Sequence, residues 1–100
     1  MENYSVRIYS IAKKDLTDIV DYITTLSPTA AIRQYDSVIE KIGTLKQMPQ
    51  RCAYLNSDML RAKGYRGLSV DNYTVFFKIK GNTVQIRRIL YGARNYEFLL

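Results

Sequence analysis

The chain opens with a short apolar–polar alternation and continues with a helical repeat. Residues 4–9 alternate with the period of two that is typical of a strand buried on one face. From Ser10 onward, apolar residues recur at spacings of three and four. This repeat predicts a helix that ends near Thr25 and is capped by Ser10. Its apolar positions are Ala12, Leu16, Ile19, Ile23 and Leu26.

A second helix is predicted from Ser27 and Pro28, because serine caps free N–H groups and proline fits the first helical position. Pro49 ends this helix at or before Met48. The connection between the two helices is short, so we expect an antiparallel helical hairpin. The apolar stripe of the second helix, including its tyrosine, is predicted to lie in the core. Its members are Ala31, Ile32, Tyr35, Val38, Ile39, Ile42 and Leu45.

The second half of the chain changes to strand patterns. Residues 49–64 have no clear period and predict a long loop that is either functional or contains a short strand or turn. Strands are predicted at 65–70, 73–80 and 83–91, and the Gly-Asn pair at 81–82 indicates a tight hairpin. The order β-α-α-β-β-β predicts one α+β domain over residues 1–100, with the helical hairpin packed on one face of an antiparallel sheet.

The last predicted strand places an arginine on each of its faces. Strict alternation groups Arg88 with Val84, Ile86 and Leu90, and groups Arg87 with Gln85, Ile89 and Tyr91. A charged side chain among apolar neighbours is costly unless it is paired or reaches water. Arg87 and Arg88 therefore each need a partner or a sheet edge.

Charge is distributed unevenly along the 100 residues, whose formal net charge is +6. Residues 1–50 hold six basic and six acidic side chains, whereas residues 51–100 hold nine and three. This asymmetry bears on partners more than on fold and favours an anionic or acidic partner for the sheet end. Asp15, Asp18 and Asp21 share one helix face, which we interpret as solvated and not as a metal site.

Cysteine and histidine usage narrows the possible chemistry. Cys52 is the single cysteine and histidine is absent, which excludes disulfide frameworks, Cys/His zinc sites and histidine acid–base catalysis. We expect Cys52 to be a buried apolar residue. No apolar run reaches the length of a membrane span and the N-terminus lacks a signal-peptide pattern, so we expect a cytosolic protein without membrane association.

The remaining candidate chemistry lies in arginines interleaved with tyrosines. Familiar nucleotide-binding and hydrolase motifs are absent from the sequence. Arginine binds phosphate or carboxylate and tyrosine stacks on bases, so the set suits RNA, DNA or an acidic protein. A metal-independent ribonuclease is also conceivable, with arginines stabilising the phosphate and a tyrosine as acid or base. The structural alternative is that the arginines lie at sheet edges and the tyrosines cover its faces. The set comprises Arg66, Arg87, Arg88, Arg94, Tyr65, Tyr91 and Tyr96.

Three segments carry a family resemblance. They are residues 64–70 (Gly-Tyr-Arg-Gly-Leu-Ser-Val), residues 72–79 (Asn-Tyr-Thr-Val-Phe-Phe-Lys-Ile) and residues 84–96, which include Arg-Ile-Leu-Tyr-Gly-Ala-Arg. With the order of elements, they resemble the RelE/ParE superfamily of toxins from bacterial toxin–antitoxin modules. The resemblance implies a small cytosolic toxin without cofactor or metal. It also implies a cognate antitoxin, whose acidic or amphipathic segment wraps the toxin.

Two branches of this superfamily imply different targets. RelE-like members cut mRNA on the ribosome, whereas ParE-like members inhibit DNA gyrase. Tyr65, Gly67 and Thr74 stand where RelE-like nucleases carry charged residues, and the C-terminal acid–base position falls near residues 99–100, both leucine. Of the nuclease positions, only Arg94 clearly matches.

The resemblance therefore favours a ParE-like gyrase inhibitor. Under this hypothesis the target-binding or nucleic-acid-binding residues are Arg66, Arg87, Arg88 and Arg94. The alternative is a ribosome-dependent mRNA endonuclease that uses Arg94 with Tyr96 or Tyr91. A third possibility is an inactive relic or a pure interaction module.

Overall fold

The computed structural model describes residues 3–92 and 97–100 and confirms the α+β class, with helices packed on a four-stranded sheet. The strands are β1 (Ser5–Ile8), β2 (Arg66–Val70), β3 (Tyr73–Lys80) and β4 (Thr83–Tyr91). The helices are α1 (Ser10–Leu26), α2 (Pro28–Gly43) and a short α3 (Asp58–Ala62). Single 3₁₀ turns lie between α2 and α3 at Thr44–Lys46 and Pro49–Arg51, and after β4 at Glu97–Leu99. Within the described ranges, no helix has the length and apolar character needed to cross a bilayer.

The sheet has the strand order β1-β4-β3-β2. Strands β2, β3 and β4 form the predicted antiparallel meander. β1 differs from the prediction of an antiparallel sheet, because it pairs in parallel with β4, in a register that joins Ser5 to Thr83 and Ile8 to Ile86. After β1, the chain passes through the helical hairpin and enters the sheet again at its far edge, as β2. The antiparallel strands β2, β3 and β4 then lead back across the sheet, so that β4 lies beside β1 and runs parallel to it.

The two predicted helix caps have different outcomes. Ser27 caps α2 as predicted, since its hydroxyl accepts a hydrogen bond from the Ala30 N–H at 3.2 Å and Pro28 occupies the first position. The prediction for Ser10 was wrong, because Ser10 is already helical and the cap residue is Tyr9, which makes no side-chain cap bond. The Tyr9 N–H still bonds to the Ile86 carbonyl, so strand pairing runs directly into α1.

These caps give a matched pair of serine substitutions. Ser27→Ala is expected to lower the free energy of unfolding by about 1 kcal/mol, because an orphan N–H loses its acceptor. Ser10→Ala removes no cap bond and is expected to change it by less than about 0.5 kcal/mol. Urea unfolding followed by circular dichroism measures both values. Equal losses for the two variants would contradict the assignment of the cap.

The main core lies between the helical hairpin and the sheet. Phe77, Val84 and Ile86 are fully buried at its centre, and Cys52 is buried at its margin as expected. A smaller cluster on the opposite face of the sheet contains Phe76. The main core consists of Tyr4, Ala12, Leu16, Val38, Ile42, Leu45, Cys52, Val70, Val75, Phe77, Val84, Ile86 and Ile89.

The buried stripe of α2 is narrower than predicted. Ala31, Val38 and Ile42 are buried, whereas Tyr35 is 46% exposed and Ile32 is 64% exposed. Placing Tyr35 in the core was therefore wrong. Tyr35 and Ile32 sit progressively further round the helix from the line of contact with α1 and the sheet, so they face solvent.

The segment predicted as a long loop contains regular structure. It has the 3₁₀ turn Pro49–Arg51, the helix α3 and an isolated bridge between Tyr54 and Arg66. Ser57 caps α3 by accepting a hydrogen bond from the Leu60 N–H at 3.3 Å. The segment therefore lies beside the start of β2, where the Gly67 N–H donates to the Ala53 carbonyl and Tyr54 bridges to Arg66.

Candidate functional site

A β-bulge in β4 determines where the two central arginines lie. Ile86 pairs with Phe77 and Arg88 pairs with Phe76, so Arg87 has no partner in β3. The extra residue reverses the alternation, and Ile89 joins Val84 and Ile86 in the main core. Placing Ile89 on the face opposite Val84 and Ile86 was therefore wrong, and Arg87 and Arg88 enter different surroundings.

Arg88 is paired with Asp15 of α1. Its Nε and Nη2 donate to the two carboxylate oxygens of Asp15 at 2.8 and 2.9 Å, and both side chains are more than four-fifths buried. This hydrogen bond raises the pKa of Arg88 above its ordinary value. Asp15 also accepts the Ile89 N–H at 3.0 Å, at the edge of β4 beyond the last residue that β1 pairs.

The interpretation of a solvated acidic face was therefore wrong for Asp15. The interpretation holds for Asp18, one turn further along α1, which is exposed and pairs with Lys14 at the surface. The Asp15 carboxylate instead accepts the Ile89 N–H, which within the described residues has no neighbouring strand to bond to at this edge of β4. Arg88 consequently holds α1 against the sheet, whatever further role it has.

Arg66 makes several contacts with the segment before α3. Its Nη1 donates to the carbonyl oxygens of Cys52 at 2.7 Å and Gln50 at 3.2 Å. Its guanidinium carbon lies 4.0 Å from the centre of the Tyr54 ring, and that of Arg61 lies 5.6 Å from the same ring. These contacts fix the segment to β2 and leave the guanidinium partly exposed.

The Arg87 side chain contacts the ring of Tyr9, the residue that follows β1. The guanidinium carbons of Arg87 and Arg7 lie 4.7 and 4.9 Å from the centre of the Tyr9 ring. Arg7, Tyr9 and the neighbouring Lys13 were missed by the sequence analysis. Arg7 and Tyr9 carry the period-two signal of one strand face, but their closeness to Arg87 depends on the parallel pairing of β1, which was not predicted.

The predicted site residues do not form one group. Arg66 lies on the edge strand β2, whereas Arg87 and Arg88 lie on β4, with β3 between them. Tyr91 is 59% exposed and packs edge-on against Tyr73 at 5.7 Å. Arg94 and Tyr96 lie outside the described residues. Target binding by Arg66, Arg87, Arg88 and Arg94, and catalysis by Arg94, Tyr96 or Tyr91, remain predictions.

A cleft opens on the face of the sheet opposite the helical hairpin, between the sheet and the segment that leads into α3. Its volume is about 430 Å³, and among its described lining residues the one charged side chain is Glu97, which accepts a hydrogen bond from Ser57. The cleft is lined by Ala53, Tyr54, Leu55, Asn56, Ser57, Leu60, Gly67, Ser69, Thr74, Phe76 and Glu97.

The positions that differ from RelE-like nucleases lie in or beside this cleft. Thr74 is 7% exposed, and its hydroxyl donates to the Gly92 carbonyl at 2.7 Å. Gly67 is covered by Leu55, because a Cβ at Gly67 would lie 2.9 Å from Leu55 Cδ2. Tyr65 is buried and its hydroxyl donates to the Leu100 carbonyl at 3.3 Å. Thr74 and Gly67 therefore contribute packing and a neutral hydrogen bond, whereas the Tyr65 ring also contacts the Lys78 ammonium, whose Nζ lies 5.2 Å from the ring centre.

Two other groups in the described part of the chain have shifted pKa values. Burial raises the pKa of the Cys52 thiol, against the opposing effect of Arg51 and Arg66. Burial, followed by the neighbouring Tyr91, raises the pKa of the Tyr73 hydroxyl. Both shifts move the pKa further above neutral pH and favour the protonated form, so neither shift produces an activated nucleophile or a general base.

The helical hairpin and the four-stranded sheet define a small α+β domain with the element order expected for the RelE/ParE superfamily. The family model described as "ParE toxin of type II toxin-antitoxin system, parDE" matches residues 6–96, and the chain belongs to this family.

Two solved structures have similar folds. A chain from the chromosomal ParDE toxin–antitoxin system of P. aeruginosa is 25% identical, with a TM-score of 0.78, covering 92% of this chain and 99% of that one. A chain from the toxin–antitoxin complex RelBE2 of Mycobacterium tuberculosis is also 25% identical, with a TM-score of 0.64 and coverages of 89% and 98%. No curated protein sequence matches the chain.

Proposed function

We propose that this toxin arrests growth in the cytoplasm by binding DNA gyrase and that a cognate antitoxin neutralises it. The carrying observation is that Thr74 and Gly67, at two positions where RelE-like nucleases carry charge, are uncharged and tightly packed in the sheet-face cleft. The ParE toxin family match supports the same target.

The cleft is poorly suited to cleaving a phosphodiester. Negative charge develops on the phosphate in the transition state, and enzymes stabilise it with donors or cations that are already in position. Thr74 and Gly67 occupy positions where the resemblance to RelE expects charge, yet they offer a hydroxyl already bonded to Gly92 and a glycine covered by Leu55. Each missing donor typically costs about 3–4 kcal/mol of transition-state stabilisation. Binding without cleavage fits this lining better.

Two observations support neutralisation by an antitoxin: the nature of the two similar structures and the positive net charge of this chain. The two similar structures come from the ParDE toxin–antitoxin system and from the RelBE2 toxin–antitoxin complex. The net charge of +6 favours association with an acidic segment. The same antitoxin should then relieve inhibition of the target.

A ribosome-dependent mRNA endonuclease is the second candidate, and the RelBE2 likeness is the observation that favours it. In this alternative Arg94 pairs with Tyr96 or Tyr91 in catalysis. Arg94→Ala is then the informative variant, because it removes the one arginine that matches the RelE-like pattern.

Two activity assays on the purified full chain separate these functions. We expect micromolar toxin to inhibit DNA supercoiling by gyrase, the cognate antitoxin to restore it, and mRNA in a translating extract to stay intact. Cleaved mRNA that becomes stable with Arg94→Ala, together with unaffected gyrase, would establish the endonuclease instead. Failure in both assays would favour an inactive relic or interaction module.

A further inference from the structure

A second cleft, rich in basic side chains, lies where β1 meets α1. Its volume is about 590 Å³, and two of its lining residues, Arg7 and Lys13, are basic. Arg87 of β4 borders it through contact with the Tyr9 ring. Arg7, Tyr9, Lys13 and Arg87 are named the β1 cluster. The cleft is lined by Val6, Arg7, Ile8, Tyr9, Ser10, Ile11 and Lys13.

The positive charge of the β1 cluster is not neutralised within the described residues. No described carboxylate pairs with Arg7 or Arg87, although both guanidinium groups lie within 5 Å of one ring centre. Contact with an aromatic ring contributes only about 0.5–1 kcal/mol at an exposed site and leaves the hydrogen-bond donors free. Arg88, the next residue along β4, is by contrast fully paired with Asp15. The difference leaves Arg7 and Arg87 available to an external anion.

The bulge in β4 gives the placement of Arg87 a structural cause. Arg87 is the residue that has no partner in β3, and its side chain reaches Tyr9, the residue between β1 and α1. Bulges disrupt the hydrogen-bond ladder and commonly redirect a side chain at a functional surface. Here the redirected side chain brings a second guanidinium to the ring that Arg7 already contacts.

We propose that the β1 cluster binds backbone phosphates of a nucleic acid. Guanidinium groups donate two parallel hydrogen bonds to phosphate, and three cations around an open cleft suit a repeating polyanion. Protein–protein interfaces centre on apolar or aromatic anchors, whereas surfaces that bind nucleic acid are polar and positively charged. Tyr9, the one aromatic ring in the cluster, is already in contact with two guanidinium groups. The chemistry therefore favours phosphate over an acidic protein segment, and it does not depend on which target the toxin has.

Fluorescence anisotropy with labelled oligonucleotides tests this site in the full chain. Wild type is compared with Arg7→Gln/Arg87→Gln and with the control Arg33→Gln/Lys41→Gln, which removes the same charge from exposed positions of α2. The slope of log affinity against log salt concentration should become shallower by about 1.8 on duplex DNA or about 1.4 on single-stranded RNA for the cluster variant. The control should retain the wild-type slope.

The nucleic acid that shows this difference identifies the source of the phosphates. The proposal is overturned if the cluster variant and the control bind equally, or if the wild type binds polyglutamate but neither nucleic acid. Circular dichroism reports whether each variant folds. If the cluster variant does not fold, Lys13→Gln at an exposed position is expected to reduce the slope by about 0.9 on DNA, and an unchanged slope overturns the proposal.

Discussion

Asp15→Ala is expected to lower the free energy of unfolding by about 3–5 kcal/mol, because it leaves the Arg88 guanidinium buried without its partner. The Ile89 N–H at the edge of β4 loses its acceptor in the same variant. Natural domains have total stabilities of about 5–15 kcal/mol, so the loss is a large fraction of the whole. Urea unfolding should show a lower midpoint with an unchanged slope.

The neighbouring aspartate provides the control for this prediction. Asp18 pairs with Lys14 at 3.2 Å on the exposed surface of the same helix, so Asp18→Ala should cost less than about 1 kcal/mol. Asp15→Leu/Arg88→Met replaces both charges with apolar side chains and should recover much of the loss, since a buried pair contributes little net stability over apolar packing. Similar costs for Asp15→Ala and Asp18→Ala would show that the buried pair has no special role.

Phe77→Ala is expected to cost about 3–5 kcal/mol, because it removes a fully buried ring from the centre of the main core. For a domain of this size, each kcal/mol lowers the midpoint of thermal unfolding by about 4–8 °C. Phe98→Ala is the matched control. Phe98 is 82% exposed, and its truncation should change stability by less than about 0.5 kcal/mol. Thermal unfolding followed by circular dichroism compares the two, and a small effect at Phe77 would contradict its central position.

The elements that local pattern determines were predicted well. The strands β3 and β4 have the predicted bounds, since strict alternation and the Gly-Asn turn are signals that lie within one stretch of chain. Ser27 and Pro28 start α2 for the same reason. The helix α3 was missed, because its five residues are too few to establish a period.

The features that depend on distant residues could not be predicted. Asp15 and Asp18 share one side of the helical pattern and each directly precedes an apolar residue. The approach of α1 to the edge of β4 distinguishes the buried Asp15 from the solvated Asp18. The bulge at Arg87 lacks the glycine that marks one type of bulge, and strict alternation was therefore assumed throughout β4. The site at Arg7 and Tyr9 required both the bulge and the parallel position of β1.

The parallel pairing of β1 with β4 also has a consequence for synthesis of the protein. β1 is made early, but its hydrogen-bonding partner is the last strand of the sheet, and the cost of closing so long a loop must be met before the contact forms. While β4 is still inside the ribosome, the nascent chain therefore lacks both the β1–β4 pairing and the Arg7–Tyr9–Arg87 contact. Translation that stops before β4 yields a chain without these surfaces, so the sheet is completed only after β4 has been made.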